Sequence, residues 1–184
     1  MKAHKEFLRG WVRAGVGNIV ASTTDVVVNA ANSMLLGGSG VDGAIHQGGG
    51  PEILQECKML RERRFPEGLP AGEAVATSAG KLPAKWVIHT VGPVFGQWNG
   101  RDAEILRSCY WNSLVLAREL GATSVSFPSI STGVYGYPKD LAAQVVSETL
   151  TAIQGSIPGI KQVNLVFFNE DDLLVFLDNE TFPN

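Results

Sequence analysis

Long apolar runs are missing from this 184-residue chain. No stretch approaches the ~18 consecutive apolar residues of a helical membrane span, so association with a membrane is not expected. The first residues, Met1 to Trp11, are charged and lack the apolar segment of a secretory signal, which predicts a cytoplasmic protein. Cysteine is scarce: Cys57 and Cys109 are the only two, and without export they read as free thiols in a reducing compartment. Both fall in helical patterns with no histidine or glycine-rich turn nearby in sequence, so neither is expected to be a nucleophile. Histidine is equally sparse. His4, His46 and His89 do not pair with each other or with cysteine at ligand spacing, so no metal site is expected. An excess of positive charge is absent too. The net charge is -3, which offers no field for nucleic acid.

What is present points to one globular domain covering residues 1–184. The chain is 45% hydrophobic and 18% charged, which excludes a disordered polymer. A domain of this length buries roughly 70% of its unfolded surface and needs no disulfide or metal staple. Glycine is over-represented, 21 residues or about 11%, against a usual level of about 7%. The placement of those glycines carries most of the functional information.

Short β-branched runs alternate with helical patterns. Val26-Val27-Val28, leading into Asn29-Ala30-Ala31-Asn32, predicts a strand. So do Trp86 to Val91, stopped by Gly92-Pro93, Ser124 to Phe127, stopped by Pro128, and Val163 to Phe168. Weaker signals lie at Trp11–Val16 and Ala74–Thr77. Helices are expected over Ile53–Arg64, after Pro51-Glu52, over Asp102–Leu120, stopped by Gly121, and from Pro138 through Ile153, stopped by Gly155. Asn169 followed by Glu170, Asp171 and Asp172 reads as the cap and acidic first turn of a last helix. This alternation argues for a layered α/β domain with a mostly parallel sheet. The segment from Gly92 to Arg101 is long enough to be mobile.

Two glycine-rich segments stand out. The first, Leu36 to His46, contains Gly38-Ser39-Gly40-Val41-Asp42-Gly43. It formally matches a dinucleotide fingerprint, but it does not follow its strand directly and the residue about 20 positions on, Glu62, lies in a helix. A Rossmann dehydrogenase is therefore rejected. The second, Ser129 to Tyr137, runs from a strand into a helix, where successive N–H groups and a helix start suit phosphate. No Gly-Lys-Ser/Thr follows, so it is not a P-loop. It holds no lysine or arginine, so backbone amides and hydroxyls would grip any anion. Two such segments after two strands suggest a clamp around one elongated anionic ligand. Asn29, Asn32 and Asp42 lie by the first, with Asn29 expected to brace the segment.

The ordered motifs Val28-Asn29-Ala30-Ala31-Asn32, Gly40-Val41-Asp42-Gly43-Ala44-Ile45-His46, Leu82 to Pro93 and Ser131-Thr132-Gly133-Val134-Tyr135-Gly136-Tyr137-Pro138 resemble macrodomains of the MacroD-type ADP-ribose hydrolase branch. The resemblance runs from about Gly15 to Phe176. It implies a three-layer α/β/α sandwich with a mixed, mostly parallel central sheet and an ADP-ribose cleft at the crest of that sheet. Ser131, Thr132, Gly133, Val134, Tyr135 and Gly136 would hold the diphosphate and close over the ribose. Gly40, Val41 and Asp42 would line the distal ribose, with Asn32 bonding its hydroxyls. Asn18 and Ile19 would stand at the adenine, and Phe168 would stack on it. The family usually has Gly-Asp-Ile-Thr where this chain has Gly17-Asn18-Ile19-Val20, so the adenine contact loses a charge, at a cost of about 1 kcal/mol. Ser39 replaces a common glycine, and Gln47-Gly48-Gly49 is expected to loosen the helix after Asp42.

The resemblance implies removal of mono-ADP-ribose from acidic side chains of proteins and deacetylation of O-acetyl-ADP-ribose, by a monomer without cofactor or metal. Asp42, the only acid in either segment, is the candidate to orient or deprotonate a water, and Asn32 to fix the ribose. The partners would be ADP-ribose, O-acetyl-ADP-ribose and mono-ADP-ribosylated proteins, rather than nucleic acid. Alternatives are a non-catalytic ADP-ribose reader and an ADP-ribose-1''-phosphate phosphatase.

Overall fold

The computed structural model describes residues 1–183. Seven strands form one sheet: β1 (Lys2–Phe7), β2 (Val12–Val16), β3 (Val26–Ala31), β4 (Ala74–Ser78), β5 (Trp86–Val91), β6 (Ser124–Phe127) and β7 (Gln162–Phe167), in the order β1-β2-β7-β6-β3-β5-β4. The five inner strands β2, β7, β6, β3 and β5 run parallel, while β1 and β4 are antiparallel edges. Parallel strands must be covered on both faces. Helices α1 (Gly40–Gly49) and α2 (Pro51–Arg63) cover one face, and α3 (Asp102–Glu119), α4 (Lys139–Ile153) and α5 (Glu170–Asn179) cover the other. The result is the three-layer α/β/α sandwich with a mixed, mostly parallel sheet.

Period-2 alternation assigns each strand residue to a face. On β3, Val26 and Val28 enter the core under α3 and α4 with Ile88, Val125 and Leu106. Val27 and Ala31 enter the smaller core under α1 and α2 with Val87, Ile45 and Ile53. Asn29 has the parity of Val27, and His89 that of Val87 and Val91. Both are fully buried, and they are direct partners in the β3–β5 register. A polar row therefore crosses the smaller core.

Some expectations need correction. The charged N-terminal segment, which carries no strand signal, forms β1. It lies at the sheet edge with Lys5 and Glu6 exposed, where charge serves to discourage further pairing. The first glycine segment turns helical partway along: α1 starts at Gly40, two residues before the Asp42 after which a helix is expected, and Asp42 sits in its first turn. Gln47-Gly48-Gly49 is helical, and α1 runs through Gly49. There the helix end touches the Ala79–Lys81 turn: Lys81 N donates to Gly49 O at 2.8 Å, and a Cβ on Gly49 would overlap Ile53 Cδ1. Glycine here permits a close approach. Finally, β7 stops at Phe167, leaving Phe168 outside it. The Asn169 cap is present, its Oδ1 accepting from Asp172 N at 2.9 Å.

Candidate active site

Because the inner strands are parallel, their carboxyl ends lie at one edge of the sheet, the usual place for a ligand in such folds. That edge carries Gly17-Asn18 after β2, Asn32 after β3, Gly92 after β5, Ser129–Tyr137 after β6 and Phe168 after β7. A cavity of about 330 Å³ opens between the β3 and β6 ends. Asn32, Gly40, Val41, Asp42, Ser131, Gly133, Val134 and Tyr135 line it. Thr132 and Gly136 belong to the same loop but do not line the cavity. Thr132 Oγ1 turns back to Ser129 O (3.0 Å) and Ser129 Oγ (2.8 Å).

Asp42 is 6% exposed and sits in the first turn of α1, where the positive end of the helix dipole favours an anion. Asn29 Nδ2 donates to Asp42 Oδ1 at 2.7 Å, so Asn29 braces the segment from behind, as expected. His46, one turn on, brings Nε2 to 3.4 Å from the same oxygen, without the alignment of a hydrogen bond. The other oxygen, Oδ2, turns to the Gly38 side. A Cβ on Gly38 would lie 3.0 Å from it and 3.5 Å from Asn32 Nδ2, so Gly38 sits between the two side chains. Asn32 itself closes a turn: Nδ2 donates to Gly37 O (3.1 Å) and Oδ1 accepts from Met34 N (3.1 Å).

The opposite wall is strained and partly unsatisfied. Ser131 has φ +65°, a costly region for a residue with a Cβ. Its Oγ is buried and without a partner among the described residues. Gly92 makes this possible, since a Cβ there would overlap Ser131 Oγ. The Gly92–Arg101 segment is tied down rather than loose: Phe95 N donates to Tyr135 O (2.9 Å), Gly96 N to Asp102 Oδ1 (2.8 Å), and the Phe95 and Tyr137 rings meet edge-on at 5.0 Å. Burial and then the Asp42 charge raise the Tyr135 phenol above its ordinary value, leaving it a neutral donor facing the acid.

A second cavity of about 520 Å³ is lined by Gly17, Asn18, Val20, Ala44, Gln47, Gly48 and Phe168. Helix α1 walls both cavities, so they can take the two ends of one elongated ligand. Phe168 is 87% exposed and is no core residue. The Asn18 amide oxygen caps the 3₁₀ turn Ile19–Ala21 by accepting from Val20 N at 3.2 Å. The Ile19 side chain is in the smaller core and lines neither cavity.

Behind Asp42 the fold brings together residues that are far apart in sequence. Cys57 does have a histidine neighbour: its Sγ lies 3.8 Å from His89 Nε2, and His46, Cys57 and His89 bring ligand atoms within 4.8 Å of one another. Burial, then the charges of Asp42 and Glu56, push the Cys57 thiol up to about 12, and burial pushes Cys109 up to about 11. Both shifts disfavour the thiolate, the reactive form. Sequence spacing cannot show this cluster, but a histidine at a period-2 apolar position, Val87-x-His89-x-Val91, was a legible sign of a buried polar group. The lining residues Gly38, Ser39, Gly92, Ser129 and Ile130 also went unassigned to the site, although Gly92 follows a strand end.

Fold and site together define an α/β/α domain with a cleft at the carboxyl ends of its parallel strands, walled by backbone and hydroxyl groups and one acid. Residues 28–146 match the Macro domain family, and the chain belongs to it. It is 52% identical over 158 residues to a macro domain-containing protein of Streptomyces griseus, covering 86% of this chain and 88% of that one. It is 46% identical over 169 residues to the O-acetyl-ADP-ribose deacetylase of Cronobacter turicensis, covering 92% and 95%. The Oceanobacillus iheyensis macrodomain with ADP superposes with a TM-score of 0.85 at 44% identity, covering 91% of this chain and 88% of that one.

Proposed function

We propose that the protein binds ADP-ribose and hydrolyses esters of its distal ribose: O-acetyl-ADP-ribose, and mono-ADP-ribose attached to glutamate or aspartate of proteins. The carrying observation is a single cavity in which Asp42 and Asn32 face the Ser131–Tyr135 loop. The family membership and the deacetylase named in Cronobacter turicensis support the reading. In it, the adenine stacks on the exposed Phe168 ring beside Asn18. The diphosphate lies along Ser131–Tyr135, where Ser131 Oγ awaits a partner. The distal ribose reaches Asn32, Gly40, Val41 and Asp42.

Asp42 takes a proton from a water whose oxygen bonds to the acyl carbonyl carbon. The ester C–O bond breaks, the ribose oxygen receives the proton from Asp42, and the carboxylic acid is released and gives its own proton to solvent. The water approaches Oδ2, because Oδ1 is held by Asn29. Tyr135 bounds that approach from the other wall. A glutamyl or aspartyl ester presents the same bond as the acetyl ester, so one constellation serves both.

The test is calorimetry with ADP-ribose, followed by release of label from mono-ADP-ribosylated glutamate protein and of acetate from O-acetyl-ADP-ribose. Asp42→Ala is expected to lower turnover at least ~10²-fold, the lower range for general-base help, with ADP-ribose affinity largely retained. Tight binding with no turnover by the unaltered protein would make it a reader, and no binding at millimolar ADP-ribose would overturn the reading.

A further inference from the structure

We propose that His89 is a positioning residue for this reaction: its Nδ1 holds the Asn29 amide, which in turn holds Asp42 with Oδ2 free for the water. The inference rests on the reading of Asp42 as the base. His89 lines neither of the two cavities; it is fully buried on β5 beneath α1 and α2.

Donor and acceptor counting determines the chain's polarity. Asp42 Oδ1 accepts, so Asn29 must turn Nδ2 toward it. The same Nδ2 lies 3.1 Å from His89 Nδ1, and its second hydrogen fits only if Nδ1 is an acceptor. His89 then carries its proton on Nε2, 2.9 Å from Thr77 Oγ1. Thr77 Oγ1 gives its own hydrogen to Ser78 O at 2.9 Å, so it is free to accept from Nε2. Every link agrees with one tautomer, running Asp42–Asn29–His89–Thr77–Ser78. Protonated His89 would set an N–H against the Asn29 N–H and break the chain. Burial first, then the nearby His46, depresses His89 to about 3, which keeps the ring neutral.

The arrangement costs something, which favours a role beyond packing. Asn29 Oδ1 is buried without a partner among the described residues, and unsatisfied acceptors in a core are unfavourable. A leucine or valine pair at positions 29 and 89 would have filled the same core. Both nitrogens of His89 are engaged, so it turns no lone pair toward a metal between His46 and Cys57.

The experiment compares His89→Leu, His89→Asn and Asp42→Ala in O-acetyl-ADP-ribose hydrolysis, with ADP-ribose affinity measured by calorimetry. His89→Leu is expected to lower kcat by about 10–100-fold, the scale of a small misplacement of a catalytic group, at unchanged affinity. In His89→Asn, Oδ1 stands near the place of Nδ1, and most of kcat should return. A parental kcat in His89→Leu, an equal loss in His89→Asn, or a loss of ADP-ribose affinity matching the loss of kcat overturns the positioning role. Asp42→Ala separates the two readings. If that variant keeps parental turnover, the base assignment fails and the positioning role with it. If it is inactive while His89→Leu is fully active, only the positioning role fails. Nitrogen-15 NMR of the unaltered protein tests the chain even where a variant does not fold. It should show neutral His89 protonated on Nε2 from pH 5 to pH 8. An Nδ1–H tautomer or an imidazolium in that range overturns the proposal.

Discussion

Phe168 shows how much one residue's meaning depends on where its strand stops. In Leu165-Val166-Phe167-Phe168 the two phenylalanines look equivalent, yet Phe167 is buried and Phe168 is 87% exposed, because β7 ends between them. An exposed aromatic face costs nothing to remove from the fold but matters to a base stacked on it. Phe168→Ala should weaken ADP-ribose binding by about 1–3 kcal/mol, the range for base–aromatic stacking, while the melting temperature stays put. Calorimetry and thermal denaturation check the two halves separately. Asn32 and Asp42 were legible as polar residues near a strand end. Their juxtaposition was not, since it depends on the turn that Asn32 closes through Gly37 and Met34.

At the scale of elements, the cleft depends on how closely β5 and the loop after β6 approach. Gly92 follows β5 at a point where a Cβ would overlap Ser131 Oγ and crowd Ile130. Gly92→Ala should cost about 1–3 kcal/mol of stability, as overpacking does, and should also weaken ADP-ribose binding by displacing the Ser131 loop. Denaturant unfolding and calorimetry on the same variant would show both; a stability loss with unchanged affinity would mean the loop relaxes elsewhere. Most elements were readable from periodicity because inner parallel strands are β-branched runs and the helices carry clear stops. Two were not. Strand β1 has exposed charges and depends on pairing with β2, and the first turn of α1 hides in a glycine-rich stretch of low helix propensity.

At the scale of the whole molecule, buried neutral histidine makes the fold acid-sensitive. His89 has a folded value of about 3 and an unfolded value near 6.5. Between these, the unfolded chain binds a proton that the folded one does not, so stability rises with pH through that window and falls on acidification below about 6.5. The groups facing the ring are Asp42 and His46 from α1, Cys57 from α2, Asn29 from β3 and Thr77 from β4. One proton gives a slope of at most about 1.4 kcal/mol per pH unit. Asp25, held down to about 2 by Lys85 and Thr123, adds loss in the same direction, but only below about pH 4. Urea unfolding from pH 4 to pH 7 should show the slope, and His89→Asn should flatten it; an unchanged slope would assign the acid sensitivity to other groups. No helix among the described residues is long and apolar enough to cross a membrane.

The amino-acid sequence by itself determined the layered α/β architecture, the six stronger and weaker strands beyond β1, and the two segments that form the cleft walls. Those features rest on local patterns: period-2 apolar runs, helix caps, and glycines at turns. Only the tertiary structure decided which residues meet. It placed Asp42 in a helix turn rather than a loop and set Phe168 in the open. It also put His89 and Cys57, distant in sequence, behind the acid. The reason is physical. Local spacing governs which element a residue joins, whereas side-chain partners across β3, β5 and α1 are chosen by sheet register and by which face each helix covers.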